Sequence, residues 1–179
     1  MVLRTLAAAI AFAASLGCPA SATLAVGANA PQFSAPATLG GKVFQFDLAS
    51  ALAKGPVVLY FYPAAFTKGC TLEAHDFAEH IADFRDLDAT VIGVSVDDLA
   101  TLKKFSISEC RSKFPVASDA DHTISKAYDA VLGNGSDMLA DRTSYVISAS
   151  RKIVYAYRSL DYSKHVSNTL AALKKLEAR

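Results

Sequence analysis

The stretch Pro56-Val-Val-Leu-Tyr-Phe-Tyr62 constrains the fold more than any other part of the chain. A short, continuous apolar run rich in Val and aromatics predicts a buried strand. Pro63 ends it, a short loop follows, and a helical pattern begins near Gly69 or Cys70. Cys70 therefore stands where a strand hands over to a helix N-terminus. Unpaired N–H groups and the positive end of the helix dipole favour a thiolate there over a thiol. Thr67, three residues earlier, can aim a hydroxyl at the same point. The plainer reading is a buried cysteine that only packs. Its place at the C-terminal edge of a sheet, where open α/β sheets build their sites, weighs against that.

The rest of the chain reads as alternating strands and helices. Two alternating segments, 32–37 and 42–47, flank Leu39-Gly-Gly41 and predict a β-hairpin. Residues 48–54 form a turn or a single helical turn, and apolar spacing predicts one helix over 70–87. A second buried strand covers 90–96. Asp97-Asp98 offers a cap for a helix over 99–110. A short strand at 114–119, a helix over 122–132 and a loop at 133–137 follow. Strands at 143–147 and 152–157, joined by a turn, then lead to an amphipathic helix over 164–179. This order predicts an α/β fold: a central mixed sheet flanked by helices, of thioredoxin-like type, with an N-terminal β-hairpin extension.

Residues 1–22 read as a secretory signal peptide: Arg4, an Ala-rich apolar run, then Ala20-Ser21-Ala22 before the cut. The run is too short for a membrane anchor, and the residues before Cys18 match lipoprotein processing poorly. No other segment is apolar enough to span a membrane. The remaining 23–179 reads as a single domain carrying 17 basic and 17 acidic residues once Arg4 is gone, and two cysteines, Cys70 and Cys110. That charge balance argues against nucleic acid. In an oxidising compartment two cysteines can pair.

Arg142 precedes the strand at 143–147 and is either a solvated strand-end arginine or a guanidinium turned toward Cys70. Glu73, one turn after Cys70, is well placed against the helix dipole. His75, His80, His122 and His165 have no metal-binding spacing.

The spacing Pro63-x-x-x-Thr67-x-x-Cys70, within a string running from Val58-Leu-Tyr-Phe-Tyr-Pro63 to Gly69-Cys-Thr-Leu-Glu-Ala74, resembles the peroxidatic motif of the peroxiredoxins. It looks most like their bacterioferritin comigratory protein, or peroxiredoxin Q, subfamily, over roughly 26–176. The resemblance implies thiol-dependent reduction of peroxides at Cys70, without metal, haem or flavin. It implies that Thr67 and Arg142 hold the peroxide, Pro63 shields the thiolate and Glu73 supports the site. Arg142-Thr-Ser-Tyr-Val-Ile147 resembles the family's Arg-x-Thr-Phe-Leu-Ile stretch. Some members resolve the sulfenic acid with a cysteine five residues later, which here is His75; others use the next helix, at the position of Ser106. Cys110, four residues on, is either the resolving cysteine or a free structural thiol, in which case the enzyme is a one-cysteine peroxidase that uses an external thiol. The family also implies a thioredoxin-like or small-thiol reductant and a monomer or weak dimer. Two rivals stand beside it. A thiol–disulfide oxidoreductase lacks its second cysteine, since Thr67 and Glu73 occupy both Cys-x-x-Cys positions. A non-catalytic binding domain has no use for Thr67, Cys70 and Arg142 around one point.

Overall fold

The computed structural model describes residues 23–178. The predicted signal peptide, with Cys18, lies outside these residues. The chain opens with β1 (Ser34–Leu39) and β2 (Lys42–Asp47), joined by Gly40 and Gly41. Both glycines have positive φ, 55° and 78°, as a two-residue hairpin turn of this twist demands. α1 (Leu48–Leu52) leads into β3 (Val57–Phe61), and α2 (Lys68–Glu79) and α3 (Ile81–Asp86) return the chain to β4 (Thr90–Ser95). α4 (Leu99–Ser108), β5 (Val116–Ser118) and α5 (Thr123–Ala127) follow. A small hairpin of β6 (Val131–Leu132) and β7 (Leu139–Ala140) precedes β8 (Thr143–Ile147), β9 (Ile153–Arg158) and α6 (His165–Glu177).

Among the described residues, seven strands form one mixed sheet in the order β2-β1-β5-β4-β3-β8-β9. β3, β4 and β5 run parallel, connected by helical crossovers, and the outer strands are antiparallel. All five residues of β3 are buried because it is central and covered on both faces. Val57, Leu59 and Phe61 enter one core with Tyr145 and Ile147. Val58 and Tyr60 enter the other with Phe77, Phe84 and Leu173. Each such side chain contributes roughly 1.5–3 kcal/mol of burial.

Two expectations need correction. The helix expected over 70–87 is two helices, broken at His80, where φ is −94° and ψ 9°. The helix expected over 122–132 ends at Ala127: Asp129 takes a left-handed φ of 51°, and Val131–Leu132 is a strand paired with Leu139–Ala140.

Candidate active site

The N-terminus of α2 is left open. Thr67 occupies the N-cap in extended backbone, yet its hydroxyl donates to the Ala64 carbonyl at 2.9 Å rather than capping the helix or meeting Cys70. The first α-type bond runs from the Thr71 N–H to the Thr67 carbonyl, 2.9 Å. The N–H groups of Lys68, Gly69 and Cys70 therefore lie ahead of the helical ladder. Cys70, in this first turn, is 2% exposed. The inward stripe of α2 reads Cys70, Glu73, Ala74, Phe77 and Ala78, the spacing of a single helix face, and the Phe77 ring stacks on Tyr60 of β3 at 4.3 Å.

Sheet register brings Arg142 to the same place. β8 pairs antiparallel with β3, with Thr143 opposite Phe61, so the residue before β8 emerges beside the loop that follows β3. Arg142 Nη2 lies 3.2 Å from Cys70 Sγ, Nη1 pairs with Glu73 Oε2, and Nε donates to the Leu160 carbonyl at 3.1 Å. Burial alone would lower the pKa of Arg142; the negative charges of Glu73 and Cys70 outweigh it and raise it. Gly69 makes room: a Cβ there would sit 3.2 Å from Nη2.

Glu73, one turn after Cys70, faces the interior beside Arg142. It is fully buried, and burial pushes its carboxyl up to about 8 against the pull of Arg142. Its other oxygen, Oε1, has no hydrogen-bond partner among the described residues and lies 3.7 Å from His165 Nδ1. His165, also fully buried, leads α6; Nδ1 meets Ser144 Oγ at 2.8 Å and Nε2 meets the Ser159 carbonyl at 3.0 Å.

Asp97 supports the loop rather than capping α4, a role that falls to Asp98. Asp97 Oδ2 accepts from the Ala65 N–H at 2.7 Å and from Ser95 Oγ at 2.8 Å. Next to Ala65, Phe66 sits at φ 64°, a strained region for a bulky residue, with its ring edge-on to Phe105 at 5.3 Å. Asp97→Ala is expected to free this loop and to cost about 1.5–3 kcal/mol of stability. Urea denaturation of the variant beside the wild type checks it.

The residues singled out from sequence separate into two groups. Cys70, Arg142 and Glu73 are in one cluster, with Thr67 three residues before Cys70 and Pro63 half-buried at the start of the loop. Cys110 is not bonded to Cys70: both are free, buried thiols packed into the same core. Cys110 lies past the end of α4 instead of on it, and burial, then Glu109, pushes its thiol well up. Ser106, on α4 itself, accepts from the Gly40 N–H at 2.8 Å and so ties the helix to the hairpin. Sequence reasoning gave no site role to Gly69, Asp97 or His165. A signal existed for His165, which falls on the buried stripe of α6 with Val166, Thr169, Leu170 and Leu173.

Residues 26–156 match the AhpC/TSA family. Peroxiredoxin Bcp of Xanthomonas campestris is 32% identical over 144 residues, covering 72% of this chain and 89% of that protein. Peroxiredoxin Bcp of Bacillus subtilis is 29% identical over 161 residues, covering 88% and 99%. The crystal structure of peroxidoxin BcpB from Mycobacterium tuberculosis superposes with a TM-score of 0.77 at 31% identity, over 84% of this chain and 97% of that one.

Proposed function

The chain belongs to the AhpC/TSA family as a peroxiredoxin of the bacterioferritin comigratory protein and peroxiredoxin Q group, a thiol-dependent peroxidase, and on that footing we propose that Cys70 is its peroxidatic residue. The observation that carries this is the Arg142 guanidinium 3.2 Å from Cys70 Sγ, at a helix start whose first N–H groups are uncapped. The substrates are hydrogen peroxide and organic hydroperoxides. The thiolate attacks the terminal peroxide oxygen; the S–O bond forms as the O–O bond breaks. Sulfur is oxidised to the sulfenic acid, and the leaving oxygen departs as water or an alcohol after taking a proton. Arg142 and the N–H groups ahead of the α2 ladder are preset donors for the charge that develops on that oxygen. Thr67, whose hydroxyl hydrogen is engaged by Ala64, offers the peroxide a lone pair. Pro63 shields the thiolate from bulk water. The leader sequence supports export to a periplasm.

Resolution by Cys110 requires an opening step. His75 Nε2 lies 2.9 Å from Glu109 Oε2, and Arg111 pairs with Glu79 at 3.2 Å, so α2 is tied directly to the segment carrying Cys110. When these ties release, Cys110 attacks the sulfenic sulfur, water leaves, and a thioredoxin-like reductant reopens the disulfide. The complete burial of Cys110 favours a second reading, in which an external thiol attacks Cys70 directly. The test is to treat reduced wild type and Cys110→Ser with one equivalent of hydrogen peroxide and take peptide masses. A two-hydrogen loss mapped to Cys70–Cys110 is expected in wild type, with Cys110→Ser stopping at the sulfenic acid. A sulfenic Cys70 beside a free Cys110 in wild type selects the external-thiol route. An unchanged Cys70 with peroxide unconsumed removes the proposal.

A further inference from the structure

We propose that His165 is a positioning residue for the reaction at Cys70: it makes the buried Glu73 carboxyl the resting place of the proton that Cys70 gives up. This rests on reading Cys70 as the peroxidatic residue.

The cluster holds two acids and one fixed cation. Arg142 stays charged throughout. With Glu73 ionised and Cys70 as the thiol the cluster is neutral, and with Glu73 protonated and Cys70 as the thiolate it is neutral again. Both acids ionised would leave an uncompensated charge in a dry interior, which is costly. One proton is therefore divided between Sγ and the carboxyl, and the surroundings of Glu73 decide where it rests. The reaction is Cys70–SH plus Glu73 carboxylate giving Cys70–S⁻ plus Glu73 carboxyl, with no net gain or loss of protons.

His165 sets the bias through its tautomer. The Ser159 carbonyl can only accept, so Nε2 carries the hydrogen. Burial pushes His165 down to about 4, so the ring is neutral and Nδ1 is a lone pair, accepting from the Ser144 hydroxyl. That lone pair lies 3.7 Å from Glu73 Oε1, which has no donor among the described residues. A carboxylate oxygen there faces the electron-rich edge of a ring that offers it no hydrogen, whereas a carboxyl hydrogen there is attracted to that edge across a gap longer than a hydrogen bond. The burial-driven rise of Glu73 to about 8 runs in the same direction. The other groups that bear on the pair do not reverse it. Asp76 on α2 also raises Glu73, and the Tyr60 phenol of β3 is held neutral by burial. Around His165, Arg142 disfavours protonation, Asp161 favours it and the Tyr157 ring packs edge-on.

The test is the rate of iodoacetamide alkylation at Cys70, read by peptide mass between about pH 5 and 9, together with peroxide consumption. Thiolate fraction changes tenfold for each unit the titration moves. His165→Leu is expected to move the rate curve to higher pH, with alkylation about tenfold slower on its acid limb. Ser144→Ala, which leaves Nδ1 free for Glu73, is expected to move it the other way and gives a second handle if His165→Leu folds poorly. Glu73→Gln, a neutral group at every pH, moves it to lower pH and cancels any further effect of His165→Leu. A merely structural His165 would slow alkylation equally at all pH. The proposal is overturned if Glu73→Gln leaves the curve in place, or if His165→Leu shifts it equally with Gln at position 73. Either result in a wild type that still consumes peroxide overturns the His165 proposal alone. A wild type that consumes none overturns the assignment of Cys70.

Discussion

Replacing Cys70 with serine is expected to abolish peroxide reduction and to leave the fold in place. A serine hydroxyl keeps its proton near neutrality, and its oxygen cannot accept a transferred oxygen atom as sulfur does. Loss of a nucleophile of this kind costs on the order of 10³-fold or more in rate. The substitution is small: sulfur gives way to oxygen at a site already lined by the Arg142 guanidinium, 3.2 Å away. The hydroxyl keeps a polar neighbour, so stability is expected to change by no more than about 1 kcal/mol. Peroxide consumption beside urea denaturation separates the two effects. Residual turnover above about a hundredth of wild type would place the chemistry on another residue.

The second large effect is expected at Arg142, and it has two separable parts. Arg142→Met keeps much of the side chain's length and removes its charge. Loss of a preset donor to the developing oxyanion is expected to lower kcat/KM about 10²–10³-fold. The same change leaves the Glu73 carboxyl buried without its partner; freed from the pull of Arg142 it holds its proton near neutrality, and the lost charge-assisted hydrogen bonding costs about 1.5–3 kcal/mol. Adding Glu73→Gln removes the stranded carboxyl, so the double variant should regain part of the lost stability, while its kcat/KM stays about 10²–10³-fold below that of Glu73→Gln alone. Urea denaturation with steady-state kinetics on these variants checks this. Equal recovery of stability and rate would mean that Arg142 acts only as a brace.

The fold was legible where the signal is local. β3 is central and covered on both faces, so five buried residues in a row announce it, and two positive-φ glycines announce the hairpin turn. The limits of α5 were not legible: Asp129 ends it by taking φ 51°, and the strands after it are two residues each, too short for periodicity to register. In the site, the strand-to-helix handover at Cys70 was readable. The ion pair of Glu73 with Arg142 spans 69 residues and depends on β8 pairing with β3, which no local pattern encodes. A carboxyl on a helix stripe between Cys70 and Phe77 is nonetheless a clue, since a buried charge requires a partner. Asp97 gave no such clue: Asp97 and Asp98 are both plausible caps, and only the path of the loop after β3 tells them apart.

The pairing of β3 with β8 also governs when Cys70 acquires its guanidinium neighbour. Cys70 and Arg142 are 72 residues apart in sequence and meet only through this non-local ladder. Contacts of such long range close late, because the intervening chain must first lose its loop entropy. A nascent chain therefore carries Cys70 without its guanidinium partner. On the proposed peroxidatic role, Cys70 is armed only once β8 has docked on β3, so oxidant sensitivity at this sulfur is expected to report that docking.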